Sequence, residues 1–179
     1  MIDDLLSEIQ KIQDSTSLKS INLSENERFI FNKANNLLSR REYSKIELTK
    51  KLRQRIPNEE GLISEVIKKL EDANYLSEDR YSEMIIKKLL KRGIAEQNII
   101  NELGTHHIIV TKEKIRNIAE ELGLNKQEQV LLLAKKKLRL IKSKPLQKQR
   151  ESLIRFLSSK GYKYEDIKSC IAEIFTENC

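Results

Sequence analysis

Leu38-Ser39-Arg40-Arg41-Glu42-Tyr43-Ser44-Lys45-Ile46-Glu47-Leu48-Thr49-Lys50-Lys51-Leu52 reads as the end of one helix, a tight corner and the start of a second helix. Leu48 and Leu52 lie one helical turn apart, as do Ala34 and Leu38 before the corner. Tyr43 fills the corner, and Ser44 with Glu47 spells a capping box that opens the second helix. The frame returns at Ile94 and at Tyr162. Nine residues before the anchors stand Ala34, Ile85 and Leu153, and five before stand Leu38, Leu89 and Leu157. Five after come Leu48, Ile99 and Ile167, and nine after come Leu52, Leu103 and Ile171. The position two before each anchor is basic: Arg41, Arg92 and Lys160. A unit this small cannot bury its own apolar face, so stacked copies are expected.

The intervals between anchors are 51 and 68 residues, and the longer one has room for an extra helix. An all-α chain of three successive three-helix bundles follows, the third with its helices in shifted order. The expected segments are an amphipathic helix and polar linker over 1–25, then repeats over 26–76, 77–124 and 125–179. In the N-terminal helix, Ile2, Leu5, Leu6, Ile9 and Ile12 share a face, and Asp14 to Glu25 is polar. The first repeat helix is expected from about Glu27. Pro57-Asn58 is expected to stop the second helix and cap a third with the face Leu62, Ile63, Val66, Ile67 and Leu70. In the second repeat, Ser77 caps a helix whose inner face is Tyr81, Ile85 and Leu89, Gly93 permits the corner, and Gly104 stops the following helix. His106 to Val110 reads as an extended connector before a helix capped by Thr111. Asn125 with Glu128 opens the most basic helix, about 126–141, and Pro145 suits the first turn of the next. Gly161 and Tyr162 make the last corner.

Composition narrows the function. The 179 residues are 39% hydrophobic and 34% charged, and five glycines with two prolines disfavour a sheet built on tight turns. Residues 1–25 hold two lysines against five acids, a net −3, which leaves +10 on the rest. A basic body favours anionic partners. Cys170 and Cys179 lack metal spacing and suit a reducing compartment without disulfides. The acidic start without a long apolar run gives no signal peptide, and no stretch approaches a membrane span. A cytoplasmic location is therefore expected. His106 and His107 are adjacent, cannot share a helix face and have no ligand-spaced neighbour, so a structural or solvent-facing role is expected. Phosphate loops, nucleophile elbows and zinc motifs are absent from the sequence. The reading is a non-enzyme with no cofactor and no metal.

The candidate binding residues are basic. From Ala134 to Arg150 there are eight cations and no acid: Lys135, Lys136, Lys137, Arg139, Lys142, Lys144, Lys148 and Arg150. Cations at a helix C-terminus are favourable in themselves, whereas those at the Pro145 helix start have no such reason. A second set surrounds the first corner: Arg40, Arg41, Lys45, Lys50, Lys51, Arg53 and Arg55. Lys87, Lys88, Lys91 and Arg92 close the first helix of the second repeat. Phosphate contacts from such sets give salt-dependent, largely sequence-independent binding. Tyr43 and Tyr162 are corner anchors rather than base-stacking platforms, and only Tyr164 lacks a packing assignment. Three helix–corner–helix copies without a clear polar recognition helix argue against sequence-specific readout.

These residues resemble the RecX family of regulatory proteins. Leu38 to Leu52 looks like its opening signature of a basic pair, an aromatic, Ser and x-x-E-L-x-x-K-L. Asn74-Tyr75-Leu76-Ser77-Glu78-Asp79-Arg80-Tyr81 is similar to its G-Y-L-[DN]-D-x-R-[FY] segment, with Asn74 at the usual glycine. Lys91-Arg92-Gly93 resembles its R-x-K-G corner, where Ile94 and Ala95 replace an aromatic and a glycine. Arg155 to Tyr162 resembles its terminal R-F-L-x-R-R-G-[FY]. The resemblance covers residues 27–175 and implies an elongated, curved stack of three-helix repeats. It also implies a protein that binds the RecA recombinase filament on DNA; a monomer, and contact with single- or double-stranded DNA without sequence preference, are expected alongside. Restraint of strand exchange, ATP turnover and co-protease action in DNA repair and the SOS response follows from the same likeness. The alternative reading is a general nucleic-acid-binding protein or transcription regulator acting through its basic helices alone.

Overall fold

The computed structural model describes residues 23–176, so the expected N-terminal helix over 2–13 and most of the linker lie outside the described residues. Nine α-helices occur among the described residues, and no strand does: α1 Glu25–Leu38, α2 Lys45–Arg55, α3 Glu60–Asp72, α4 Glu78–Lys91, α5 Glu96–Gly104, α6 Lys112–Glu121, α7 Lys126–Ile141, α8 Leu146–Ser159 and α9 Tyr164–Thr176. They are tandem three-helix repeats. The chain divides after Glu78 into two compact units.

In the first unit, α1, α2 and α3 touch one another pairwise. Ile30, Phe31 and Ala34 of α1 meet Leu48 and Leu52 of α2 and Ile63, Val66 and Leu70 of α3 in one buried cluster, with Leu23 and Tyr43 at its edge. Helix α2 buries only Leu48 and Leu52, so those two side chains hold most of its packing energy. Full burial of a leucine contributes about 1.5–3 kcal/mol. The first helix begins at Glu25, two residues ahead of the sequence expectation, because Ser24 and Glu27 form a complete capping box. The buried Glu27 carboxylate also receives Lys69 Nζ at 2.7 Å. Hydrogen bonds from Lys69 and Ser24 pull its pKa from an ordinary 4.5 to about 2.

The second unit contains two clusters. One joins Tyr81, Ile86 and Leu90 of α4 to Ile99 and Leu103 of α5 and Ile115 and Ile118 of α6. The other joins Val130 and Ala134 of α7 to Leu153 and Leu157 of α8 and Ile167 and Ile174 of α9. Their seam is made by two corners meeting. Ala95 N–H donates to the Lys160 carbonyl at 2.9 Å, and Asn98 Nδ2 donates to the Ser159 carbonyl at 2.9 Å. Gln129 Nε2 donates to the Leu90 carbonyl at 3.1 Å. Carbonyls at the C-terminal ends of α4 and α8, which lack intrahelical partners, are thereby satisfied from the neighbouring repeat.

Five helix ends use a left-handed residue closed by a six-to-one hydrogen bond: Asn74, Gly93, His107, Gly123 and Gly161. Asn74 keeps the conformation of the glycine it replaces, as asparagine tolerates positive φ. His107, with φ 59°, terminates α5, whereas Gly104 lies inside it. The connector after α5 is therefore a turn before it becomes extended. Asn58, with φ 71°, is a turn residue, and α3 begins after Glu59 without a side-chain cap. On α4, Tyr81 and Ile85 are buried as expected, Ile86 and Leu90 are buried with them, and Leu89 is only half-buried. At the seam glycine is required for space as well. A Cβ on Gly161 would come within 2.8 Å of Asn98 Cγ, and one on Gly93 within 2.5 Å of Leu133 Cδ1.

Gly161→Ala is expected to destabilise the second unit by at least the left-handed penalty, about 1–2 kcal/mol. Urea unfolding should show Asn98→Ala restoring part of that loss by making room, a coupling absent when Asn98→Ala is paired with a distant substitution. The depressed pKa of Glu27 means that its stabilisation is complete above about pH 4.5 and is lost as pH falls through about 2. Glu27→Gln should flatten the acid limb of a stability–pH profile across that window.

Candidate nucleic-acid interface

Extended side chains become phosphate ligands only where they are not already held by carboxylates or rings of their own chain. At the first corner the basic residue two before the anchor is so held. Arg41 stacks its guanidinium 3.9 Å from the Tyr43 ring centre and lies 3.2 Å from the Glu47 carboxylate. The Ser44 hydroxyl accepts the Glu47 amide at 3.1 Å, so half of the expected box caps α2 while the Glu47 carboxylate turns to Arg41. Lys45 pairs with Glu71 at 2.8 Å, Arg53 lies 3.7 Å from Glu60, and Lys51 hangs 5.9 Å over Tyr43. Arg40, Lys50 and Arg55 are exposed and form no ion pair with a described residue. On α4, Lys87 pairs with Glu83 at 3.6 Å, whereas Lys88, Lys91 and Arg92 point to solvent. Lys160 lies 5.7 Å over the Phe156 ring. The equivalent basic positions thus do different things at the three corners.

The basic run over α7 and α8 is sorted by helix geometry. Lys137 turns inward over Phe156, at 5.5 Å, and Arg150 covers Phe175 at 4.8 Å. Lys135, Arg139 and Lys142 line one groove with Leu138, Leu146 and Phe175. Lys136 projects from the outer face of α7, and Lys144 and Lys148 flank the start of α8. Lys136, Arg139, Lys142, Lys144 and Lys148 are all exposed, and none forms an ion pair with a described residue. The connection that carries them is anchored from below. Gln149 is buried, and its amide nitrogen donates to the carbonyls of Lys142 at 3.2 Å and Lys144 at 2.6 Å. Sequence reasoning passed over Gln149. Its signal was there, a polar residue one turn before Leu153 and two before Leu157 on an otherwise apolar face.

Among the described residues, no group of three His, Cys, Asp or Glu converges to hold an ion. His106 Nε2 lies 3.2 Å from the Tyr81 hydroxyl, with the rings edge to face, and is part of the packing around α4. The Cys170 thiol is buried, which pushes its pKa up to about 11, and burial takes Tyr162 to about 12. Neither group ionises at neutral pH. No helix among the described residues is long and apolar enough to cross a membrane.

Residues 125–171, which hold α7, α8 and most of α9, match the family model of the third three-helix domain of RecX. The chain is 31% identical to the regulatory protein RecX of Pseudomonas fluorescens over 139 residues, covering 78% of this chain and 87% of that one. It is 32% identical to the regulatory protein RecX of Pseudomonas syringae pv. tomato, covering 72% of this chain and 81% of that one. The chain belongs to the RecX family. Among solved structures, RecX from Lactobacillus salivarius superposes with a TM-score of 0.65 at 24% identity, over 86% of this chain and 99% of that one. A second RecX structure gives 0.65 at 15% identity. At those identities the likeness establishes the shared fold.

In this RecX chain the cation-bearing connection should depend on Gln149. Gln149→Ala leaves two carbonyls without their donor, at a cost of about 1–3 kcal/mol. Amide hydrogen exchange should quicken at Lys142 to Lys144 while the α1–α3 amides stay unchanged.

Proposed function

We propose that this RecX chain binds RecA-type recombinase filaments on DNA and restrains strand exchange, ATP turnover and co-protease action. The observation that carries the reading is the exposure of Lys136, Arg139, Lys142, Lys144 and Lys148 on the second half of α7 and the α7–α8 connection, none in an ion pair with a described carboxylate, in a member of a regulatory family. Long lysine side chains displayed in this way reach phosphates without first giving up an internal ion pair, and each phosphate neutralised releases counterions. Contacts that are weak singly add on a repeating polymer through effective concentration. Lys136, Lys144 and Lys148 are the proposed phosphate ligands, with Arg40, Lys50 and Arg55 and the exposed end of α4 (Lys88, Lys91, Arg92) as further contacts. The chain is proposed to act as a monomer in the cytoplasm, without catalysis of its own. Arg41 and Lys137 are assigned to holding the fold rather than to the ligand, because their rings and carboxylate already occupy them.

Two measurements test this. In an ATPase assay with recombinase on single-stranded DNA, inhibition at well below one protein per recombinase site supports the filament reading. Inhibition that appears only as free DNA is titrated away supports a general nucleic-acid-binding protein instead. Lys136→Glu, Lys144→Glu and Lys148→Glu together should weaken binding and lower the salt slope by about 0.7–0.9 per lost contact. An unchanged slope removes these residues from the interface.

A further inference from the structure

We infer that the groove between the end of α7, the start of α8 and the end of α9 receives an acidic protein segment carrying an apolar anchor, rather than the phosphate backbone. This deepens the function proposed above and rests on it, since the segment would belong to the protein component of the filament. The groove encloses about 500 Å³, and Lys135, Arg139 and Lys142 stand along it with Leu146 and Phe175. No carboxylate is among the described residues lining it. Leu146 is 66% exposed, and Leu140 on the adjoining turn of α7 is 81% exposed.

The mixture selects the occupant. A phosphate backbone would satisfy Arg139 and Lys142 and leave Leu146 and Phe175 against a hydrated, charged surface. A second copy of this chain, related by a two-fold axis, would bring the same cations face to face. A lipid surface is flat, whereas the lining here is concave. A peptide segment with carboxylates flanking a leucine, isoleucine or phenylalanine satisfies both parts: ion pairs to Arg139 and Lys142, and an anchor against Leu146 and Phe175. Lys136, Lys144 and Lys148 lie outside the lining, so α7 and α8 present adjoining surfaces of different chemistry, one for protein and one for phosphate.

The test is Leu146→Ser and Leu146→Glu in the full chain, at an exposed position where circular dichroism should report an unchanged fold. Affinity is measured for recombinase filaments on single-stranded DNA and for the bare DNA at the same salt. The expected result is a loss of about tenfold for filaments with Leu146→Ser, a larger loss with Leu146→Glu, and bare-DNA affinity within about twofold of the parent. Unchanged filament affinity, or equal losses on filaments and bare DNA, overturns the inference. A photo-cross-linking residue at position 146 should form its adduct with recombinase; adducts confined to DNA or to a second copy count against it. Binding to phosphatidylglycerol vesicles that Leu146→Ser abolishes, with filament affinity intact, assigns the groove to lipid and overturns it too. If the unsubstituted chain fails to bind filaments at all, the proposed function falls and this inference falls with it. Failure of the Leu146 variants alone leaves the proposed function standing.

Discussion

Two helices that reverse direction within four residues, as α4 and α5 do and as α8 and α9 do, leave the last carbonyls of the first helix close to the start of the second. Those carbonyls need donors, and the chain supplies them by a left-handed residue that folds the next amides back. The anchor residue then lies two positions ahead of the second helix, just before its N-cap, with its side chain against the core. At the second and third corners the arrangement is used again at a higher level. The second corner donates to carbonyls of the third, and Gly161 lacks the Cβ that would press on Asn98, while Gly93 lacks the one that would press on Leu133 of α7. The repeat is therefore also its own joint. The buried clusters follow from this constraint, because the helices are too short to be stable in water without packing.

The same geometry sorts the cations. Near the first corner, Arg41 and Lys45 are engaged by Glu47, Tyr43 and Glu71, and their charge helps to hold the bundle. From Ala134 to Arg150 the sequence offers no acid over seventeen positions, and Lys136, Arg139, Lys142, Lys144 and Lys148 keep their charge for something else. Gln149 fixes the backbone beneath them, which lowers the entropy lost when a ligand orders the loop. A soluble lysine-rich surface has no need of a buried amide holding its loop in place. That anchor distinguishes this basic segment from the others.

Much of the fold was legible because its signals are local. The offsets of Leu48 and Leu52, Ile99 and Leu103, and Ile167 and Ile171 place the second helix of each corner, and all but Ile171 are fully buried. Thr111 and Asn125 cap α6 and α7 as their sequence pattern indicates. The errors came where several residue types compete for one backbone conformation. His107 and Asn58 hold left-handed positions that sequence reasoning gave to Gly104 or read as a cap, since the choice depends on where the helix unwinds. Ser24-Glu25-Asn26-Glu27 spelled a capping box, but the polar stretch before it concealed the boundary. At the candidate site the charges were legible and their engagement was not. Whether Arg41 faces solvent or Tyr43 is decided by tertiary packing, as is the pinning of the loop by Gln149.

Everything proposed for the chain turns on whether partners meet the α7–α8 connection. Hydrogen exchange of the full chain, free and bound to recombinase filaments on single-stranded DNA, reads this directly. Strong protection at residues 142–150, falling away along α5 and α6, is the expected result. Protection confined to α1–α3, or no change at 142–150 when binding is saturated, contradicts it.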